Sequence, residues 1–198
     1  PKQPLTPPPT SLYDETYLGV AANWRSTATT SGSSQMTTGF PGSSGGIVDT
    51  SFTTRPTGIT INAFTVSFSG LLKFPTAGTW QLRVTRDGTT SVSVGETQLV
   101  ADQTEVTSAT TTTAVDHVVA TANQSFDLIG SLANTNAAAR LKLEWKPPAG
   151  AWVTIPGSAI TPNHSLTTST LDADGKKTSF TYPKPETGVQ TATVADPA

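Results

Sequence analysis

Apolar and polar residues alternate along several short segments of the chain, most clearly between residues 64 and 100. Residues 79–84 and 91–94 both follow a period of two, which places one side of a strand on a core and the other in water. The segment Arg-Asp-Gly at residues 86–88 separates them. We expect a polar turn there, because Gly allows positive φ and Asp favours turns.

The same alternation returns at residues 125–128 and 140–146, where a pair of prolines then ends the strand. Residues 26–46 and 104–113 are rich in Ser, Thr or Gly and predict long loops. No segment shows convincing helical periodicity. Many short strands separated by Gly and Pro predict an all-β antiparallel protein, either a sandwich or a barrel.

Composition narrows the classes of function. Threonine occupies 38 of the 198 positions and charged residues only 13%, a balance that suits the exposed faces of β-sheets. The net charge of −2 and the lack of a basic run argue against nucleic acid as a partner. Cysteine is absent, which excludes disulfides, thiolate metal sites and a Cys nucleophile.

The change of residue composition along the chain predicts three parts: a Pro-rich linker at 1–11, the stranded domain at 12–162 and a tail at 163–198. A chain that begins PKQPLTPPPT is expected to be a segment of a longer protein. No apolar run reaches the ~18 residues of a membrane span. The Ser/Thr/Gly-rich, charge-poor composition is typical of secreted Gram-positive proteins, so we expect an extracellular or cell-surface location.

A recurring order of segments runs through the stranded domain: Gly70-Leu71-Leu72, residues 77–84, Asp87-Gly88, residues 92–95, Leu99-Val100, residues 136–145, Ile155-Pro156 and residues 160–162, with a weaker match at residues 17–24. Together these segments resemble the protective-antigen-type (PA-fourteen) lectin-like domain. The resemblance implies an antiparallel, jelly-roll-like β-sandwich with long loops. It also implies a binding module, because many members of that family hold carbohydrate and some do so through calcium.

The resemblance implies a particular calcium site, and this chain departs from it. Members that bind calcium use two consecutive aspartates joined by a cis peptide, but here Arg86 stands at the first position and only Asp87 remains. Calcium requires six to eight oxygen ligands, and a guanidinium repels the ion. We therefore expect no cofactor, with calcium disfavoured by Arg86, and a trans peptide between the two residues.

Five residues are candidate ligand-binding positions, each with a structural alternative. Arg86 and Asp87 could hydrogen-bond sugar hydroxyls or form an exposed ion pair in a turn. Asn134 and Asn136 fall in the predicted loop where the family presents a ligand contact, although Asn also favours turns by itself. Trp152 lies in a Pro/Gly-rich loop, where it could stack on a sugar or pack under the sandwich.

Other residues carry no recognisable chemistry. Trp80 and Trp145 fall on the apolar side of alternating strands and are expected in the core. His117 and His164 are isolated from acidic clusters, which indicates neither a metal site nor a nucleophile–base pair. No spacing of carboxylates requires a glycosidase. We expect no catalytic residues and no enzymatic activity.

The tail has a different pattern. Residues 166–182 predict a hairpin with Asp174-Gly175 as its turn. The pattern D-x-x-G-K-x-T-x-F-x-Y, from Asp172 to Tyr182, resembles one unit of the tyrosine–aspartate (rearrangement-hotspot) repeats. That resemblance implies a downstream repeat domain of the same chain as a partner, because one unit cannot bury its face alone.

These observations favour a non-enzymatic carbohydrate-binding module of a large secreted or cell-surface protein of polymorphic-toxin type. Its expected partners are glycans or cell-surface polysaccharide. The alternative is a structural spacer that mounts a repeat shell and binds no ligand.

Overall fold

The computed structural model describes residues 18–27, 34–100, 105–163, 169–171, 177–181 and 193–195, the last three ranges by their backbone. The described residues fall into two compact units, one up to residue 163 and one beyond it. The predicted linker and the family's opening residue Tyr17 lie outside the described residues. The domain boundaries at 11 and 162 stay predictions.

The first unit contains a seven-stranded sheet. Its strands are β1 (Ala21–Ser26), β2 (Gln35–Thr38), β4 (Phe64–Lys73), β6 (Thr89–Val94), β7 (Thr97–Val100), β10 (Ser125–Asn134) and β13 (Ile160–Pro162). They are ordered β2-β1-β4-β10-β6-β7, and β13 also pairs with β4. The central strands β4 and β10 pair along ten positions, from Ser125 opposite Lys73 to Asn134 opposite Phe64.

A six-stranded sheet completes the same unit. Its strands are β3 (Asp49–Thr50), β5 (Gly78–Asp87), β8 (Thr110–Thr111), β9 (Val115–Val119), β11 (Arg140–Lys146) and β12 (Val153–Thr154). The order is β12-β11-β5-β8, with β3 also on β11 and β9 also on β5. All pairings that the structure describes in both sheets are antiparallel.

The inner faces of the two sheets form one hydrophobic core. Trp80, Leu82 and Val84 are at most 1% exposed while their neighbours on β5 face outward, as the period of two predicts. Trp80 and Trp145 pack with ring centroids 4.7 Å apart, which confirms their expected place in the core. The predicted all-β antiparallel sandwich is confirmed.

Three predicted loops or turns are partly strands. Residues 26–46 contain β2, which pairs with β1, and residues 104–113 contain β8, which pairs with β5. Arg86 and Asp87 do not form a turn, because β5 continues through them and pairs Asp87 with Arg140. The partners of β8 and of residues 86–87 are distant in sequence, so local composition could not predict those pairings.

The second unit is a small antiparallel sheet of β14 (Ser169–Leu171), β15 (Lys177–Thr181) and β16 (Thr193–Ala195). The strands β14 and β15 pair from Leu171 opposite Lys177, which fits the predicted hairpin. Its Asp174-Gly175 turn and Tyr182 lie outside the described residues. The resemblance to a tyrosine–aspartate repeat stays a prediction.

Helical structure is minor. In the ranges that the structure describes it amounts to one 3-10 turn, Gly157–Ala159, between β12 and β13. None of the described helical structure is long and apolar enough to cross a membrane.

His117 links the two sheets at one end of the sandwich. The side chain belongs to β9 of the six-stranded sheet, and its Nδ1 is 2.8 Å from Oγ1 of Thr97 on β7 of the other sheet. The ring is 4% exposed and stacks on Phe74, with Phe126 edge-on at 4.4 Å between centroids. Burial lowers the pKa of His117 below its usual 6.5.

This burial predicts acid-sensitive stability. Below about pH 6.5 the unfolded chain binds a proton at His117 more readily than the folded chain, so the free energy of unfolding falls as pH falls. The unfolding free energy changes by at most about 1.4 kcal/mol per pH unit. It stops changing through His117 once the pH is below the pKa of His117 in the folded chain. Urea unfolding between pH 7.5 and 5 measures this slope of unfolding free energy against pH. We expect His117→Phe to reduce this slope, and an unchanged slope would contradict the assignment.

Candidate functional site

The chain crosses from one sheet to the other at Gly88. Asp87 ends β5 in the six-stranded sheet and Thr89 begins β6 in the seven-stranded sheet. Gly88 has a φ of 107°, and a Cβ there would lie 2.8 Å from the carbonyl oxygen of Ala133 and 3.4 Å from Oδ1 of Asn134. Glycine is therefore required by both the conformation and the close approach to the end of β10.

Asp87 is buried beside this crossing. The residue is 5% exposed, and its Oδ1 is buried and makes no hydrogen bond to the residues that the structure describes. Burial, and next the nearby carboxylate of Glu105, raise the pKa of Asp87 above its usual 3.8. A buried acceptor that makes no hydrogen bond to the described residues is unusual, because most buried polar groups in folded proteins are paired.

Asn134 presents a second such oxygen from the other sheet. The residue ends β10 and is fully buried. Its Nδ2 donates to the carbonyl oxygens of Ile61, at 2.5 Å, and of Asn136, at 2.8 Å, which fixes the amide. Its Oδ1 has no hydrogen-bond partner among the described residues. Asn134 is thus a strand residue, where the sequence predicted a loop.

Glu105 forms the outer rim of this group. Its Oε1 accepts hydrogen bonds from Thr135 Oγ1 at 2.6 Å and from Asn136 Nδ2 at 2.8 Å. The next residue, Val106, accepts the N–H of Gly88 at 2.8 Å, so this segment lies against the crossing. Five residues therefore meet at one end of the sandwich, and we call them the Gly88 site: Asp87, Gly88, Glu105, Asn134 and Asn136.

Arg86 contacts this group from the core side. Consecutive strand residues point to opposite faces, so Arg86 follows the inward phase of Leu82 and Val84 while Asp87 follows the outward phase. Arg86 is 8% exposed, and its Nη1 donates to the carbonyl oxygen of Gly88 at 3.4 Å. The Arg86–Asp87 peptide is trans. The expected exposed ion pair in a turn is wrong, because both residues are buried at a strand end.

Trp152 lies elsewhere on the six-stranded sheet. Its half-buried ring is covered by the guanidinium of Arg83, whose Cζ is 4.2 Å from the ring centroid, a cation–π contact. Arg83 is four residues from Asp87 along β5, which corresponds to roughly 13 Å. The structure therefore brings Arg86, Asp87, Asn134 and Asn136 together but does not bring Trp152 to them.

The polar groups on that outer face satisfy one another. Glu144 accepts from Arg83 Nε and from Lys142 Nζ, each at 3.0 Å. Burial acts to raise the pKa of Glu144, but the two donors outweigh it and the pKa is lowered. Asp87 on the same sheet differs, because its Oδ1 accepts no hydrogen bond from the residues that the structure describes.

The oxygen atoms that the described residues offer at the Gly88 site do not fit a calcium ion. The ion needs six to eight oxygens, and the described residues offer two buried oxygens without partners, one on Asp87 and one on Asn134. Glu105 is already engaged by two donors, and the Arg86 guanidinium contacts the Gly88 carbonyl. Within the described ranges, no three His, Cys, Asp or Glu side chains converge as a metal site would require.

Sequence reasoning missed Glu105. It lies in a segment rich in Thr with no motif around it, and its role arises from contacts with Thr135 and Asn136, some thirty residues away. The only local signal is that Glu105 is the one charged residue between Asp102 and Asp116.

Comparison with known proteins finds solved structures with a similar fold. No protein-family model matches the sequence, and no curated protein matches it significantly. Among solved structures, an anti-sigma factor domain-containing protein has a TM-score of 0.61 at 15% identity over 90% of this chain. The chain spans only 60% of that protein.

Two further solved structures are adhesin domains. The PA14 sugar-binding domain from an RTX adhesin has a TM-score of 0.54 at 17% identity, over 74% of this chain and 99% of its own. The epithelial adhesin 6 A domain from Candida glabrata, in complex with Galβ1-3GlcNAc, has a TM-score of 0.52 at 12% identity, over 74% and 87%. This chain therefore shares the fold of PA14 sugar-binding domains.

The unpaired carboxylate predicts that Asp87→Asn stabilises the protein. Because the folded chain binds a proton at Asp87 more readily than the unfolded chain, ionisation lowers the free energy of unfolding as pH rises above about 3.8. At pH 7 we expect Asp87→Asn to add about 1 kcal/mol, or about 2–4 °C in Tm.

Thermal unfolding followed by circular dichroism measures this difference. The matched control is Asp116→Asn, an exposed carboxylate on the same sheet that accepts from Gln81 at 3.1 Å. We expect the control to change stability by no more than about 0.5 kcal/mol. A lower Tm for Asp87→Asn would show that the carboxylate is paired.

Proposed function

We propose that this chain is a non-enzymatic carbohydrate-binding module of an extracellular or cell-surface protein, and that it binds glycans at the Gly88 site without calcium. The observation that carries the proposal is that one buried oxygen of Asp87 and one of Asn134 make no hydrogen bond within the described part of the chain. Leaving a buried acceptor without a donor costs about 1–3 kcal/mol. A ligand that supplies hydroxyl donors would recover that free energy on binding.

Sugar hydroxyls suit the chemistry of this end of the sandwich. Each hydroxyl donates one hydrogen bond and accepts others, whereas a carboxylate only accepts and the Asn side chain does both. Glu105, Thr135 and Asn136 form a rim that is more exposed than Asp87 and Asn134 behind it. In this proposal a sugar contacts the rim first and exchanges hydrogen bonds with it to reach the inner oxygens.

Two structural neighbours support the proposal by analogy. One is named a sugar-binding domain and the other was solved with Galβ1-3GlcNAc. At 17% and 12% identity these likenesses concern the fold, so the argument for binding rests on the Gly88 site. In the proposed arrangement, residues 12–162 bind the glycan, and residues 163–198 begin a repeat domain.

The burial of the site favours a second candidate function. Asp87 is 5% exposed and Asn134 is fully buried, which is typical of residues that only close the end of a sandwich and contact no ligand. The chain would then be a spacer that mounts a repeat domain and binds no ligand. Glycan binding decides between the two functions.

A glycan array probed with the full 198-residue chain tests the proposal. We expect binding that survives EDTA and is lost in Asp87→Ala and in Asn134→Ala, by at least about tenfold because each removes an acceptor from a buried site. The matched control is Asp116→Ala, which removes an exposed carboxylate far from the Gly88 site.

Each alternative result has a distinct meaning. Binding to no glycan, with or without calcium, would favour the spacer. Binding that requires added calcium would contradict our account of Arg86, and Arg86→Asp should then strengthen it. Equal loss in the Asp116→Ala control would place the site elsewhere on the sandwich.

A further inference from the structure

A polar cavity of about 420 Å³ lies on the same unit, formed by the loop that contains residues 41–53 and by the start of β11. Its size is within the range of small-ligand pockets, which is about 300–1,000 Å³. The charged residues of its wall are Asp49 and Arg140, and Thr50, Ser51 and Thr53 also line it. We call this cavity the Arg140 pocket.

Two strands hold its charged pair in place. Asp49 belongs to β3, which pairs with β11 so that Asp49 lies opposite Lys142 and Thr50 opposite Leu141. Arg140 is the first residue of β11, and its Nη2 donates to Oδ1 of Asp49. Both side chains are 27% exposed, so a ligand can reach them.

The loop wall of the pocket is fixed by the core. Phe52 has a φ of 55° and is fully buried, with ring centroids 5.6 Å from Phe40 and 5.8 Å from Trp24. Arg55 caps the same loop by donating to the carbonyl oxygens of Phe52 and Ile59. A wall held in this way loses little conformational entropy when a ligand binds.

The Arg140 pocket is adjacent to the Gly88 site. Arg140 is the direct cross-strand partner of Asp87 in the ladder between β11 and β5. Opposite residues in an antiparallel pair have Cα atoms about 4.5–5.5 Å apart and side chains on the same face. A ligand larger than one sugar ring can therefore contact both.

The polar groups of the pocket match neighbouring hydroxyls. Among the described residues, Asp49 Oδ1 is the partner of the Arg140 guanidinium, so the other carboxylate oxygen and the remaining N–H groups are available. A carboxylate only accepts and a guanidinium only donates, in a fixed plane. Two adjacent sugar hydroxyls can donate to Asp49 and accept from Arg140 together, and such charge-assisted hydrogen bonds are strong.

We propose that the Arg140 pocket is a second sugar-binding subsite, which holds the neighbouring neutral ring of a glycan whose first ring occupies the Gly88 site. This inference rests on the proposed function. A uronic acid or other anion is disfavoured, because its carboxylate would lie beside Asp49 and compete with it for Arg140. The protein should thus select neutral oligosaccharides over monosaccharides and over acidic sugars.

Isothermal titration calorimetry with the full chain tests the subsite. The probes are glucose and galactose as monosaccharides, cellobiose, lactose and Galβ1-3GlcNAc as neutral disaccharides, and digalacturonic acid as an acidic one. We expect a neutral disaccharide to bind at least about tenfold more tightly than its monosaccharide. Arg140→Gln and Asp49→Asn should remove that difference.

Two further variants control the experiment. Arg25→Gln removes an exposed arginine from β1 of the other sheet and should leave every affinity unchanged. Arg140→Lys keeps the charge but loses the planar fork, so it should weaken disaccharide binding as Arg140→Gln does. Unchanged Tm values would show that the variants fold, since a partly exposed ion pair contributes about 0–1 kcal/mol.

The outcomes separate this inference from the proposed function. Disaccharide binding that is lost in Asp87→Ala but unaffected by Arg140→Gln and Asp49→Asn would overturn the subsite and keep the proposed function. Tighter binding of digalacturonic acid than of neutral disaccharides would also overturn it. Binding to none of the six probes would overturn both.

Discussion

The passage of the chain from one sheet to the other at Gly88 is the constraint on which the account depends. A strand of the six-stranded sheet ends at Asp87 and a strand of the seven-stranded sheet begins at Thr89, so one residue must span the layers. Gly88 then lies against the end of β10, where an added Cβ would be 3.4 Å from Oδ1 of Asn134. The ends of β5 and β10 are neighbours because the two sheets pack together, and neither sheet alone would bring them close.

The rest of the sandwich holds this end in place. Ten paired positions join β4 to β10, and an aromatic core that includes Trp24, Phe40 and Phe52 fixes the neighbouring loop. A fold with such a core can tolerate a buried carboxylate that lacks a donor. Sites of that kind are commonly less stable than they could be, because function rather than stability selects the residues. The satisfied network around Glu144 on the same sheet shows what a purely structural arrangement looks like here.

The sequence predicted what depends on local pattern and missed what depends on distant partners. The period of two on β5 and β11 identified their inward residues, Trp80 and Trp145 among them. A strand that is buried on one face alternates apolar and polar residues, and this alternation can be read from the sequence. The strand continues through Arg86 and Asp87 because of pairing with β11, some fifty residues later, so composition alone indicated a turn. Glu105 lacked any motif, and Trp152 was assigned by residue type without information on its neighbours. Only the packed sheets supply those contacts.

Amide chemical shifts during a glycan titration test the central claim most directly. With ¹⁵N-labelled protein and the tightest-binding neutral disaccharide, the account predicts the largest shifts at Asp87, Gly88, Glu105, Asn134 and Asn136. Lys73 and Ser158, which line a cavity that contains neither these five residues nor Arg140, should not shift. Shifts confined to that cavity, or to the surface around Trp152, would contradict the account.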